Sequence, residues 1–247
     1  MSEIKISSIQ AIILAGGLGT RLKPITETIP KPMVGINGKP FLEYQIRQIK
    51  SSGIKNIILC VGYLGNKIEE YFRNGEKFGV DIEYSYEQEP LGTAGAIKNS
   101  EKLISTPSFI VMNGDTFSFI NLKNLFLNHI QNSYIATMAV TKAINPKEQE
   151  LVELKDNIII NFHKRDTLEH KNHLVVNKNP LSNAGTYVLD REILKIIPSG
   201  IKFSIEKEIF PLLVNKMAGF LYEGYLKDIA NVQFCNEFEK DISGGII

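Results

Sequence analysis

Apolar residues along this chain fall into short runs with two alternating spacings. Ile9–Ala15 is a brief run rich in Ile that stops at Gly16-Gly17, and its length and β-branched content predict a buried strand. A loop punctuated by Pro24, Pro30 and Pro32 follows. Phe41–Ser52 carries Phe41, Tyr44, Ile46 and Ile49 at near-helical spacing, and Gly53 closes that predicted helix. Asn56–Val61 reads as a second buried strand, Asn66–Phe72 as a short amphipathic helix and Asp81–Tyr86 as a third strand. Thr93–Leu103 reads as a third helix, and Phe109–Met112 as a fourth strand ending in Asn113-Gly114-Asp115. Strand and helix alternate with short connections, which is the signature of a parallel α/β sheet with helices on both faces.

The pattern changes in the second half. Ile135–Thr141, Leu151–Leu154, Ile158–His163 and Asn183–Leu189 have strand character with no long helix between them. They predict an antiparallel or mixed extension over the sheet. Asp166–Pro180 is dense in His, Lys and Asn and predicts a surface loop or lid. Ile205–Asn215 predicts a helix, Phe234–Asp241 begins a last one, and Gly244-Gly245 predicts a loose tail.

Composition narrows the function. With 43% hydrophobic and 22% charged residues the chain is an ordinary globular protein, long enough for one large core. A formal net charge of +1 supplies no global basic field for nucleic acid, although a local basic pocket remains compatible with it. Cys60 and Cys235 lie far apart and form no CxxC pair, which argues against a zinc site or a disulfide framework. No apolar run reaches the roughly 18–20 residues that span a bilayer, and MSEIKISSIQ lacks a signal-peptide pattern. The expected compartment is the cytoplasm, with no membrane and no nucleic-acid partner.

The most informative segment is Leu14-Ala15-Gly16-Gly17-Leu18-Gly19-Thr20-Arg21-Leu22, directly after the first strand. In open α/β sheets ligands bind at the carboxyl ends of strands. Glycines there let the backbone approach a ligand, and their N–H groups cradle phosphate oxygens. Arg21 adds a planar cation suited to phosphate. The segment is neither a Walker A loop, whose GxxxxGK[ST] spacing is missing, nor a dinucleotide fingerprint, whose last glycine is missing.

Taken further, residues 16–44, GGLGTRLKPITETIPKPMVGINGKPFLEY, resemble the sugar nucleotidyltransferases, also called nucleoside-diphosphate-sugar pyrophosphorylases. The matching elements are Gly16-Gly17-x-Gly19-Thr20-Arg21-Leu22, Pro24, Thr26, Pro30-Lys31-Pro32-Met33 and Gly38-Lys39-Pro40. The resemblance continues through later segments and covers most of the chain. It implies a Rossmann-like mixed sheet, mostly parallel and flanked by helices, with a small β-rich sugar-binding insertion. It also implies magnesium-dependent transfer of a nucleoside monophosphate onto a sugar 1-phosphate with release of pyrophosphate.

Such a transfer needs no protein base, because the attacking sugar phosphate is already an anion. The obstacle is anion attacking polyanion, so charge neutralisation and in-line positioning must carry the catalysis. The resemblance assigns Arg21 to the triphosphate and leaving group, and Lys31, stiffened between two prolines, to phosphate oxygens at the reacting centre. Asp115, at a strand's carboxyl end, matches the first magnesium ligand. Asp228 in Gly224-Tyr225-Leu226-Lys227-Asp228-Ile229 resembles the late second ligand. This chain departs from the family there, with Tyr225 where a Trp is frequent and Ala230-Asn231-Val232 where Gly-Thr-Pro is. Two carboxylates plus phosphate oxygens and water suit magnesium.

The nucleotide site implied by the resemblance comprises Leu14, Ala15, Gly16, Gly17, Gly19, Thr20 and Arg21, with Glu87, Gly92 and Thr93 from the base-reading loop. Glu87-Gln88-Glu89-Pro90-Leu91-Gly92-Thr93 looks like the guanylyltransferases, whereas thymidylyl- and uridylyltransferases often carry Gln near Glu87. An ionised carboxylate only accepts hydrogen bonds, and guanine offers it N1–H and N2–H, against the single N3–H of thymine or uracil. Glu89 or backbone groups near Gly92 are alternatives for that role. On the sugar side, Phe162-His163-Lys164-Arg165 stands where relatives have Phe-x-Glu-Lys-Pro, so a cation for phosphate survives, Lys164 or Arg165, without the sugar-reading acid. Asn183 and Gly185 in Asn183-Ala184-Gly185-Thr186-Tyr187 match a motif bordering the sugar pocket. His129, His163, His170 and His173 form no metal-ligand pattern.

The expectation is one nucleotidyltransferase domain over residues 1–247, with a nucleotide-binding part at 9–130 and a sugar-phosphate-binding part at 131–230. Its partners are a nucleoside triphosphate, with GTP favoured, and a sugar 1-phosphate of heptose or mannose type. Magnesium is the cofactor, and a homo-oligomer is compatible with the sequence. Rival readings are a thymidylyl- or uridylyltransferase acting on a hexose 1-phosphate, and a non-catalytic subunit that binds nucleotide sugar.

Overall fold

The computed structural model describes residues 6–146, 149–163 and 180–246. Alternating apolar positions in Gln10–Leu14 (β1) and Asn56–Val61 (β4) point to opposite faces of one sheet: Ala11, Ile13, Ile57 and Leu59 to one side, Ile12, Ile58 and Cys60 to the other. Both strands are buried on both faces, which is why they read as continuous apolar runs. Asp81–Tyr86 (β5) and Ser108–Asn113 (β6) complete a parallel set in the order β5-β4-β1-β6.

Beyond β6 the sheet becomes mixed. Leu181–Asp190 (β11) runs antiparallel to β6 and to Ala136–Lys142 (β8), while Ala218–Leu221 (β12) is parallel to β8. The hairpin Leu151–Lys155 (β9) and Ile158–His163 (β10) ends the nine-stranded sheet, antiparallel throughout. Two expectations are corrected here. The parallel character is confined to the β5-β4-β1-β6 half and to the β8–β12 pair, so the sheet is mixed and not mostly parallel. The later strands extend the same sheet edge to edge and do not lie over it. Between β8 and β12 the described chain supplies the β9–β10 hairpin, β11 and short helical turns, and no α-helix is among those described residues.

Phe41–Ser51 (α1), Gly65–Phe72 (α2) and Leu122–Asn132 (α4) pack on one face, through Leu42, Ile46, Ile49, Ile68, Phe72, Leu122, Leu125 and Phe126. Gly92–Asn99 (α3) covers the other with Ala94, Ala96 and Ile97. The helix expected over Ile205–Asn215 is instead a π-type turn, Ile205–Ile209, followed by a tighter turn, Phe210–Leu213. Pro211 has no N–H for an α-helical ladder, which accounts for the break. The helix α4 was not anticipated, although Asn121 caps it by accepting from the Asn124 N–H at 3.0 Å.

A third apolar cluster closes one end. Val232–Ser243 (α5) inserts Phe238 between Phe41 and Phe117, with ring centroids 5.3 Å from each. Beneath it Thr116–Ser118 (β7) pairs antiparallel with Leu226–Asp228 (β13), matching Thr116 to Asp228. Gly35–Ile36 (β2) and Lys39–Pro40 (β3) form a small ribbon before α1.

Where β6 ends, its chain passes so close to β1 that a Cβ on Gly114 would stand 2.5 Å from the Leu14 carbonyl oxygen. Gly17, in contrast, has open space around it. Gly114→Ala is expected to destabilise by about 1–3 kcal/mol, lowering the melting temperature by roughly 2–4 °C per kcal/mol, while Gly17→Ala leaves it unchanged. Equal thermal melting of both variants and wild type would refute this packing constraint.

Candidate active site

The carboxyl ends of β1 and β6 open into a cleft of about 430 Å³. Its floor is the chain Leu14, Ala15, Gly16, Gly17, Leu18, Gly19 and Thr20. Gly19 sits at φ 62°, and a Cβ there would meet Thr26 Cγ2 at 2.8 Å and Lys31 Cβ at 3.0 Å. Glycine is therefore required twice, by the left-handed backbone and by the close approach. Thr26 Oγ1 donates to the Gly19 carbonyl at 2.9 Å and pins the loop onto the segment that carries Lys31.

Lys31 begins a short turn, Lys31–Met33, entered through the extended Pro30. It is 7% exposed. An ammonium so deeply placed needs counter-charge, and two carboxylates supply it. Nζ donates to Asp115 Oδ2 at 2.6 Å and lies 3.8 Å from Asp228 Oδ1. The aspartates are 113 residues apart in sequence and meet because β7 pairs with β13, with the Ile229 N–H donating to the Asp115 carbonyl at 2.9 Å. From α1, Gln45 Nε2 donates to the carbonyls of Asn113 and Thr116 at 2.8 and 2.9 Å, bracing the turn on both sides of Asp115. Gln48 Nε2 does the same for Ser118, at 2.6 Å.

Glu87, Pro90, Gly92 and Thr93 also line the cleft. Glu87 Oε2 accepts from the Leu91 N–H at 2.8 Å, and its other oxygen would stand 2.7 Å from a Cβ on Gly16. Burial pushes the Glu87 carboxyl above the usual carboxylate range, partly offset by the Leu91 hydrogen bond. Glu89 is exposed and does not line the cleft.

The structure thus gathers Leu14, Ala15, Gly16, Gly17, Gly19, Thr20, Lys31, Glu87, Gly92, Thr93 and Asp115 around one cleft, with Asp228 joined to it through Lys31. Arg21 does not line it: the side chain is exposed, one residue beyond Thr20. Asn183 and Gly185 also lie off this cleft. Asn183 Nδ2 donates to Tyr187 Oη at 2.9 Å, its Oδ1 accepts from the Gly185 N–H at 2.9 Å, and Gly185 backs onto Asn113 and Thr116. Lys164, Arg165, His170 and His173 lie outside the described residues. His129 is buried against Thr137 Oγ1 at 2.9 Å, and burial pushes its imidazole down to about 4, so it serves packing. Sequence reasoning missed Gln45 and Gln48, Asn113, whose buried Oδ1 has no partner among the described residues, and Lys202, which also lines the cleft. For the glutamines the signal was present: polar residues on the buried face of an amphipathic helix.

Residues 10–233 match the family described as Nucleotidyl transferase. The chain is 39% identical over 238 residues to the D-glycero-alpha-D-manno-heptose 1-phosphate guanylyltransferase of Campylobacter jejuni subsp. jejuni serotype O:2, covering 94% of each chain. It is 34% identical over 222 residues to the enzyme of that name from Aneurinibacillus thermoaerophilus, covering 89% of this chain and 92% of that one. Among solved structures, HddC from Yersinia pseudotuberculosis complexed with GMP-PN superposes with a TM-score of 0.79 at 28% identity, over 95% of this chain and 99% of that one.

Proposed function

The chain belongs to the nucleotidyl transferase family, and we propose that it is a guanylyltransferase that joins GTP to D-glycero-α-D-manno-heptose 1-phosphate, forming GDP-heptose and releasing pyrophosphate. In this reaction a phosphate oxygen of the sugar 1-phosphate attacks the α-phosphorus of GTP, and the bond to the β-phosphate breaks. The observation that carries the reading is the convergence, at one cleft, of a glycine-lined floor, a buried lysine between two aspartates, and the Glu87 carboxylate. The heptose is inferred from the relatives named above.

The residues present fit magnesium. Asp115 and Asp228 both reach the single ammonium of Lys31, so they are close enough to share one cation, and both are partly exposed. Their all-oxygen donor set and low ligand count suit an ion that keeps several waters and takes the rest of its shell from phosphates. When bound there it would neutralise triphosphate charge. In this reading the backbone N–H groups of residues 16–20 would meet the same phosphates, Lys31 would supply a cation at the reacting centre, and the unpartnered Asn113 Oδ1 would accept from a ligand hydroxyl. Arg21, exposed beside Thr20, would meet the triphosphate by turning into the cleft. In this reading the chain is one domain, with 9–130 holding nucleotide and 131–230 holding the sugar phosphate through Asn183, Gly185 and either Lys164 or Arg165.

Pyrophosphate release with GTP, ATP, UTP and dTTP, each against the heptose and mannose 1-phosphates, tests the proposal. Preferred use of UTP or dTTP would move the protein to the pyrimidine rival, and tight GDP-heptose binding without turnover to the non-catalytic one.

Glu87 gives a sharper test of the base. Glu87→Gln is expected to lower the GTP-to-UTP ratio of kcat/KM by about one to two decades. An unmatched buried polar pair costs roughly 1–3 kcal/mol, at 1.4 kcal/mol per decade. Glu89→Gln, outside the cleft, leaves the ratio unchanged. The raised carboxyl adds a direction. A group whose pKa is raised takes up its proton at a higher pH than an ordinary carboxylate, so guanine preference fades early as the pH falls. An unshifted ratio in Glu87→Gln would remove the carboxylate from base reading.

A further inference from the structure

We propose that Lys202 is a second base-reading residue, donating to the guanine O6 while Glu87 accepts from N1–H and N2–H. This rests on the guanylyltransferase reading above and deepens it.

Lys202 is exposed and lines the same cleft as Glu87, yet it comes from the late part of the chain, 115 residues further on. Among the described residues it makes no ion pair. Its backbone position is nonetheless fixed. The Phe203 N–H donates to the Leu91 carbonyl at 2.8 Å, and the Phe203 carbonyl accepts from the Ala94 and Gly95 N–H groups at 2.9 and 3.2 Å. The Ala94 N–H belongs to the first turn of α3, which otherwise leaves it without a partner. Gly92 adopts φ 69°, and a Cβ there would stand 2.6 Å from the Phe203 carbonyl oxygen, so nothing larger fits under this strap. Two residues on, the Ile205 N–H donates to Thr93 Oγ1 at 2.9 Å, and Thr93 Oγ1 donates to Glu206 Oε2 at 2.6 Å.

Leu91 is the shared mount. Its N–H is held by the Glu87 carboxylate and its carbonyl holds Phe203, the neighbour of Lys202. The frame places Lys202 beside Pro90, Gly92 and Thr93, on the lining that it shares with Glu87. A cation on the base wall, paired with an acceptor-only carboxylate, matches the edge of guanine: an acceptor at C6 followed by donors at N1 and N2. Adenine presents an amino donor at C6, which an ammonium repels, so Lys202 would also reject ATP.

The test uses Lys202→Met, which keeps the stem and removes the charge. Competitive inhibition constants against GTP turnover, and Kd where turnover is absent, are measured for ITP, ATP and 2-aminopurine riboside triphosphate. The variant is expected to lose about tenfold to a hundredfold for GTP and ITP alike, the range of one hydrogen bond to a charged group. Binding of 2-aminopurine riboside triphosphate, which lacks O6, stays within twofold, and ATP improves relative to GTP. An equal loss for all four nucleotides would overturn the proposal in favour of a phosphate contact, and an undiminished GTP affinity would overturn it outright. The underlying reading fails differently, by a wild-type enzyme that does not prefer GTP. Circular dichroism and thermal melting of Lys202→Met guard against a folding defect. Thr93→Val, which removes the strap's side-chain anchor, should reduce the GTP-to-ATP preference in the same direction.

Discussion

Asp115→Asn and Asp228→Asn are each expected to abolish turnover, by about a thousandfold or more, while the protein stays folded. Each carboxylate neutralises the buried Lys31, and in the proposed reading it would also offer oxygens to a divalent ion at the reacting phosphates. Asparagine keeps the shape and one acceptor but removes the charge. A loss of a thousandfold corresponds to about 4 kcal/mol of transition-state stabilisation, which is within what a metal site supplies. Stability should move far less. The Asp115 and Asp228 side chains are 36% and 45% exposed, so solvent screens part of their attraction to Lys31, and in each single variant the other aspartate still faces the buried ammonium. Pyrophosphate release, with melting temperature alongside, separates the two effects. A variant turning over within tenfold of wild type would take that residue out of the metal site, and a variant that melts many degrees earlier would make it structural.

The half of the fold that builds the glycine floor was legible because β1 and β4, buried on both faces, read as continuous apolar runs and its helices are amphipathic. What the sequence concealed were contacts made by elements too short to have a period. β7 and β13 are three residues each, yet their pairing alone brings Asp228 beside Asp115. Only the resemblance to relatives pointed to Asp228; no spacing in the chain could. The strap at Phe203 was hidden for a related reason. It is backbone bonding to backbone, which leaves no mark on side-chain pattern, and it carries Lys202 into a wall otherwise made by residues 87–93. The mixed half of the sheet misled in a different way. Strand character was visible in β8 through β11, but β11 inserts between β6 and β8, an order that periodicity does not encode. Arg21 shows the converse limit: a residue strongly marked by motif whose exposed side chain lies off the cleft it is expected to serve.

Lys31→Met should separate two roles of one ammonium, with opposite signs. Turnover is expected to fall by at least a thousandfold, because in the proposed site this buried cation would meet the reacting phosphates where water is scarce and its field is least screened. Affinity of the nucleotide-free protein for Mg²⁺ or Mn²⁺ is expected to rise. Lys31 lies 2.6 Å from Asp115 and 3.8 Å from Asp228, so in the free protein it occupies the charge that a divalent ion needs. Removing a unit positive charge about 4 Å from a divalent ion relieves roughly 2–8 kcal/mol of repulsion, between the bulk-water and near-surface limits. Both aspartates are partly exposed, so the bulk-water end applies, about one to two decades in Kd. Manganese titration followed by electron paramagnetic resonance reads the second effect without any turnover. Lys31→Arg keeps the charge on a wider head group; it should leave metal affinity near wild type and recover little activity, because Asp115 and the Gly19 loop pack closely around the stem. If Lys31→Met lost turnover with no gain in metal affinity, the lysine would be neutralising phosphate alone and the two aspartates would hold their cation elsewhere.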